Sequence, residues 1–298
     1  MVTHHNSNGG SCVCGHTNSH LTRCAQGWPL ASLLHAYLAL SPLLQLLGGS
    51  WWEAAPQSST PLNVDRVRIA TWNFTALRAH IFEALAANMD LIALQEIRAD
   101  SHAVTGVARC CKLQGYNLCW SALPQYAPGS RKIDQDIPGV AFLVRDSLTF
   151  RTLQVPGLEA WTKAGRSLAI EVWMDHSWVK IFNVYAPVRN GQPMLDDLTT
   201  SLASFAGTKA VLLGDINQDS RSGALADGLQ HLGWQNLTAN TEESFISYKH
   251  TNGCSCIDVI AVTDRLATQI WPIQATAMSK LGHRMLHTTL FSNLEPQV

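Results

Sequence analysis

Lys209-Ala210-Val211-Leu212-Leu213-Gly214-Asp215-Ile216-Asn217 is the stretch on which the reading of this chain turns. The run ending at Leu213 is apolar and of strand length, the pattern of a strand covered on both faces. A carboxylate and an amide two residues apart then leave the end of that strand for a common space. Gly214 ahead of them permits a turn and the close approach of a ligand. Alone, the tetrapeptide Gly214-Asp215-Ile216-Asn217 is also an ordinary turn, because Asp and Asn begin turns readily. Its weight comes from other segments of the chain that end in the same way.

The chain has 298 residues, enough for one large domain with a substantial core and a tail. Its 46% hydrophobic and 14% charged residues describe a globular protein with little polyelectrolyte character. A formal net charge of -1 supplies no overall basic field, so nucleic-acid binding cannot be argued from charge. Cys12, Cys14, Cys24, Cys110, Cys111, Cys119, Cys254 and Cys256 are too sparse for a disulfide framework. Reduced thiols in an intracellular compartment, the nucleus included, are the expectation.

Residues 1–63 differ from the rest and read as a poorly ordered tail. Cys12, Cys14, His16, His20 and Cys24 are types that zinc accepts, but their spacing matches no common finger. Leu30 to Leu47 is rich in leucine and alanine. It carries His35, Pro42 and Gln45 and follows no strongly basic segment, so a short amphipathic helix is expected there and not a membrane span or a signal core. Pro56 to Pro61 reads as a linker, which puts the domain at 64–298.

Within the domain, strands are expected at Val67–Trp72, Asp90–Gln95, Val140–Val144, Ser167–Met174, Trp178–Tyr185, Lys209–Leu213, Ile257–Val262 and Met285–Phe291. Helices are expected at Ala76–Asn88, Ser101–Leu113 with Ser101 as its cap, Pro193–Phe205 and Ser222–Leu232. The two runs on either side of Asp175-His176-Ser177 lie too close for an intervening helix, so they form an antiparallel hairpin. Hairpins between helical stretches disfavour a doubly wound parallel sheet. The class is α+β, with two packed mixed β-sheets flanked by helices.

Five strand ends and one late turn carry the chemistry: Thr71-Trp72-Asn73, Gln95-Glu96, Asn183-Val184-Tyr185-Ala186-Pro187, Gly214-Asp215-Ile216-Asn217, Ser255-Cys256-Ile257-Asp258 and Leu281-Gly282-His283. Taken singly, each has an ordinary structural role as a cap, a turn or a solvated carboxylate. In this order, from about Val67 to Phe291, they resemble the endonuclease/exonuclease/phosphatase superfamily. Within it they are most similar to the apurinic/apyrimidinic endonucleases and the endonuclease domains of non-LTR retrotransposons. The resemblance implies a DNase I-like four-layer sandwich.

It also implies roles. Glu96 and Asn73 would hold Mg²⁺ or Mn²⁺, hard cations that take oxygen ligands. Asp215 would orient or deprotonate the attacking water. Asp258 would accept the ring proton of His283 and favour its cationic form beside a phosphate. Tyr185 and Asn217 would donate hydrogen bonds to phosphate oxygens. Arg166, after Gly165, would reach a carboxylate or a phosphate. Arg131 and Lys132, in the loop from Tyr126 to Gln135, suit backbone phosphate contacts.

The chain departs from the family pattern at four positions. Gly282 stands where an aspartate is usual, Thr75 where many apurinic endonucleases have aspartate, Val188 where asparagine is frequent, and Cys256 where arginine is frequent. The first of these predicts weaker metal holding. The function implied is Mg²⁺-dependent phosphodiester hydrolysis, with nicking of DNA as in a retrotransposon-type endonuclease. The alternatives are a phosphatase or phosphodiesterase acting on RNA or a small phosphate ester, or a weakened nucleic-acid-binding remnant. DNA is the expected partner, the expected state is a monomer, and no membrane association is expected.

Overall fold

The structure is a computed structural model that describes residues 64–121, 123, 139–241, 245–250, 253–276 and 282–292. The tail through Asn63 with its cysteines, histidines, apolar segment and linker lies outside them, as do the Tyr126–Gln135 loop and Leu281.

The described strands are, in chain order, β1 (Arg66–Asn73), β2 (Leu91–Gln95), β3 (Tyr116–Trp120), β4 (Ala141–Arg145), β5 (Phe150–Leu153), β6 (Ser167–Met174), β7 (Ser177–Tyr185), β8 (Ala210–Asp215), β9 (Trp234–Asn236), β10 (Tyr248–His250), β11 (Gly253–Ser255), β12 (Asp258–Thr263), β13 (Gln274–Ala275) and β14 (Leu286–Phe291). Two six-stranded sheets result, ordered β13-β14-β1-β2-β4-β3 and β5-β6-β7-β8-β12-β9, and β10-β11 forms a separate hairpin. Both sheets are mixed: β1 and β2 are parallel, β7 and β8 are parallel, and the remaining pairs are antiparallel.

Alternation along the strands builds the layers. Successive side chains point to opposite faces, and Val67, Ile69, Leu91, Ala93, Val179, Ile181, Val211, Leu213, Ile260 and Val262 meet between the sheets. The other face of the first sheet packs on helices Leu77–Ala86 and Ser101–Leu113. The other face of the second packs on helices Gln192–Leu202 and Ala224–His231. Helix, sheet, sheet and helix make the four layers of a DNase I-like sandwich. No helix among the described residues is long and apolar enough to cross a membrane.

Local details correct three expectations. The helix at Ser101 is capped by Asp100, whose side chain accepts from the Ala103 N–H at 2.6 Å; the carboxylate one residue earlier already takes the orphan donor. Ser177 belongs to β7, and the hairpin turns on Asp175 and His176 alone, at φ 51° and 54°. Two left-handed residues make the tight turn whose twist matches the flanking strands. Gly214 lies inside β8, and the group that approaches it is no ligand: a Cβ there would fall 2.1 Å from the carbonyl oxygen of Val184 on β7.

Candidate active site

The stripes that fill the space between the sheets change character at one end. Val67 and Ile69 continue on the same face as Thr71 and Asn73; Leu91 and Ala93 continue to Gln95; Val179 and Ile181 to Asn183 and Tyr185; Val211 and Leu213 to Asp215; Val262 and Ile260 to Asp258. The period of two that buries the core therefore delivers these polar groups to the same interior space. Tyr185, Asp215 and Asp258 form one row, since Tyr185 pairs with Asp215 across β7 and β8, and Asp258 pairs with Asp215 across β12 and β8. Asn73 pairs with Gln95 on the opposite sheet.

A buried amide network ties the sheets just below this row. Gln95 Nε2 donates to Asn183 Oδ1 at 2.8 Å and to Thr71 Oγ1 at 3.1 Å. Asn183 Nδ2 donates across to the carbonyls of Ala141 at 2.8 Å and Leu94 at 3.1 Å. Such a network, shielded from water, helps to fix one sheet against the other, because losing it would leave buried donors unpaired.

Two further bonds cross between the sheets within the site. Asn73 Nδ2 donates to Asp215 Oδ2 at 2.8 Å. The Tyr185 hydroxyl donates to Glu96 Oε1. Asn73 Oδ1 accepts from the Thr75 N–H at 3.2 Å. Glu96 follows β2 and would point outward by simple alternation, but its φ of 53° turns it toward Tyr185. Non-glycine residues in this conformation persist where the surroundings hold them, commonly at functional sites. Its second oxygen accepts from Arg98 Nη2 at 2.6 Å. Arg98 is a contact that the sequence reading missed; the only signal was a basic residue two positions past Glu96.

Asp215, 1% exposed, is almost as enclosed as the fully buried Asp258. The Asp215 Oδ1 accepts from the Asn217 N–H at 2.8 Å. Burial first, and then the Asp258 charge, push the Asp215 carboxyl up to about 7, against the opposing pulls of His283 and Asn73. His283 Nδ1 lies 3.3 Å from Asp258 Oδ2. Burial would lower the imidazole, but the neighbouring carboxylates, Asp258 foremost, outweigh it and hold the ring above its usual value. Burial and the Glu96 carboxylate raise the Tyr185 phenol, which keeps it a donor.

All seven site residues expected from sequence thus come to one end of the sandwich, with some contacts unlike those anticipated. Asn217 Nδ2 donates to the Ala186 carbonyl at 2.8 Å, bracing the loop after β7. Arg166 stacks its guanidinium over the Tyr185 ring at 5.6 Å, with Nη1 3.5 Å from the Tyr185 carbonyl. Cys256 is fully buried beside Ser220, and Val188 is exposed.

The donor set suits a hard divalent cation. Glu96, Asp215 and Asp258 offer carboxylate oxygens, and Asp258 Oδ1 is buried with no hydrogen-bond partner among the described residues. Metal-compatible atoms of Asp215, Asp258 and His283 lie within 4.8 Å of one another. Glu96 and Asn73 do not bond each other; each reaches across to the second sheet.

Gly282 occupies a confined position. Its φ is 84°, and a Cβ would lie 2.5 Å from the Lys249 carbonyl oxygen and 3.2 Å from the Tyr248 ring. The carboxylate missing from this position therefore has no room in this fold as it stands.

Two packed mixed sheets under outer helices, with carboxylates, an amide and a histidine at one shared end, define a DNase I-like sandwich. The profile of the Endonuclease/Exonuclease/phosphatase family matches residues 62–278, and the chain belongs to that family. No curated protein matches it. Among solved structures it is similar to the 3′ phosphatase NExo from Neisseria bound to a product DNA hairpin, at 20% identity and a TM-score of 0.58, covering 74% of this chain and 98% of that one. An AP endonuclease from Archaeoglobus fulgidus matches at 16% identity and a TM-score of 0.55, covering 76% and 99%. The endonuclease domain of TRAS1, a telomere-specific non-LTR retrotransposon, matches at 16% identity and a TM-score of 0.56, covering 76% and 98%. At these identities the likeness establishes the fold.

Proposed function

We propose that the chain is a Mg²⁺-dependent phosphodiesterase that nicks DNA and leaves a 3′-hydroxyl, as a retrotransposon-type endonuclease does. The observation that carries this reading is the in-register row Tyr185–Asp215–Asp258, with His283 on Asp258 and with Asn73 and Glu96 reaching it from the other sheet. Glu96 and Asn73 would hold the metal, which when bound supplies charge neutralisation at the phosphate and the leaving oxygen.

The chain's own residues do the rest. Asp215, held by Asn73 and by the Asn217 amide, accepts the proton of the attacking water in its ionised form. Tyr185 keeps its proton, so a phosphate oxygen competes with Glu96 for that donor. The Asn217 side-chain amide, on the Ala186 carbonyl and also acting on the Tyr185 oxygen, would donate to a phosphate oxygen in exchange for these contacts. The His283 imidazolium, favoured by Asp258, stabilises charge that develops on the phosphoryl oxygens, where a preformed donor in a dry site acts most strongly. The same machinery, which grips one phosphate, would also serve a phosphatase or phosphodiesterase on RNA or a small phosphate ester. We read the protein as a monomer acting inside the cell.

A supercoiled-plasmid nicking assay with Mg²⁺ tests the proposal, alongside Glu96→Gln and His283→Gln. Wild type converts supercoiled plasmid to open circle, and each variant loses about 10²-fold or more in rate. Equal rates for wild type and both variants would sink the assignment. Competition by RNA or by a phosphate monoester at lower concentration than DNA would move it to the alternative substrates. A wild type that binds DNA without cutting at any Mg²⁺ concentration would make it a binding remnant.

A further inference from the structure

Three consecutive residues, Ser247, Tyr248 and Lys249, touch both halves of the His283–Asp258 pair. Ser247 Oγ accepts from the Ile257 and Asp258 N–H groups, each at 3.1 Å, which anchors the start of β12. The Ser247 carbonyl accepts from Arg284 N at 2.8 Å, and Lys249 N donates to the Gly282 carbonyl at 2.7 Å. These backbone bonds bracket His283, and Tyr248 forms a bridge with it. The Tyr248 ring then lies over the imidazole, with centroids 4.3 Å apart and planes 33° from parallel.

The stacked ring supports the plane of His283. The imidazole's contact with Asp258 is 3.3 Å, at the long end for a hydrogen bond, and such a bond does not by itself remove the ring's freedom to rotate about it. A stacked aromatic face removes that freedom, and its negative π-surface favours a cation above it. The close passage of Lys249 beside residue 282, which leaves no space for a Cβ, belongs to the same packing. We propose that Tyr248 is a positioning residue: its ring fixes the plane of His283 toward the phosphate, and Gly282 is glycine because the strand carrying Tyr248 must pass this close. This rests on the phosphodiesterase reading given above.

The test uses the full chain and two measurements: the His283 ring-proton shifts by NMR, assigned by their loss in His283→Gln, and steady-state nicking with Mg²⁺. Tyr248→Leu, with Tyr248→Met if the first does not fold, moves the His283 ring protons downfield as the ring current disappears. It also lowers kcat about ten-fold or more while KM changes less than kcat, as a small misplacement of a reacting group does. Tyr248→Phe restores the upfield shift and most of kcat. Unmoved His283 resonances in the aliphatic variant overturn the proposal, as does a lost ring-current shift with kcat unchanged, or an effect confined to KM. Should wild type prove inactive on every substrate tried, the phosphodiesterase reading falls. The NMR comparison then decides the stacking alone, with unmoved resonances against it and a downfield shift for it.

Discussion

Asn73 and Asp215, 142 positions apart in the chain, are joined by a 2.8 Å hydrogen bond that spans the two sheets. The bond exists because β1 and β8 each end with an inward-facing polar residue at the same height of the sandwich. It places an uncharged donor against a buried carboxylate of the site, where a cation would have neutralised the charge and an apolar group would have left it stranded.

The first prediction concerns pH. Asp215 titrates at about 7, against an ordinary 3.8. As the ionised base it loses activity as pH falls through that value. Asn73 donates to the ionised form, so Asn73→Ala raises the Asp215 pKa and moves the acid limb of the rate profile to higher pH. The stability effect has the opposite sense. The folded state holds this proton more tightly than the unfolded state, so the contribution is complete below pH 3.8 and is lost as pH rises through about 7. A kcat/KM profile and thermal melts from pH 4 to 9 check both, and an acid limb that shifts down in Asn73→Ala would contradict the argument.

Arg98 gives the second. Its guanidinium sits 2.6 Å from Glu96 Oε2, a cation on the carboxylate expected to hold the metal. Removing it frees that oxygen and removes a like charge. Arg98→Gln should lower the Mg²⁺ concentration for half-maximal nicking several-fold. A Mg²⁺ titration at fixed ionic strength reads this directly, and an increase would mean that Arg98 organises Glu96 instead of competing for it.

Gly282 supplies the third. Judged from sequence alone, an aspartate at this position should strengthen metal binding. The structure reverses the expectation, because φ is 84° and a Cβ would collide with the Lys249 carbonyl. Left-handed strain alone costs about 1–3 kcal/mol, and the collision displaces β10 from His283 as well. Gly282→Asp is therefore expected to lower Tm by several degrees and to reduce nicking, with Gly282→Ala sharing most of the loss of stability. A Gly282→Asp protein with unchanged Tm and tighter Mg²⁺ dependence would show that the strand yields.

The legible and illegible parts of this fold divide along burial. β1, β2, β4, β6, β7, β8, β12 and β14 all announced themselves by apolar runs. β3, β5, β9 and β13, the ones missed, are the four edges of the two sheets. An edge strand is short, half exposed and free of the need for a continuous apolar run, so its sequence resembles a loop. The hairpin β10-β11 escaped notice for the same reason, and with it Tyr248.

By itself, then, the sequence determined which residues end each central strand. Alternation with a period of two assigns a face to every residue, and burial demands apolar side chains below the site, so Asn73, Tyr185, Asp215 and Asp258 stand out where those stripes turn polar. Which of them touch was decided only by the tertiary structure. The Asn73–Asp215 and Tyr185–Glu96 bonds depend on the spacing and angle of two separate sheets, locked by Gln95 and Asn183. The room at Gly282 depends on a strand more than thirty residues earlier in the chain. Contacts of that kind arise from the packing of elements distant in sequence, and no local pattern encodes them.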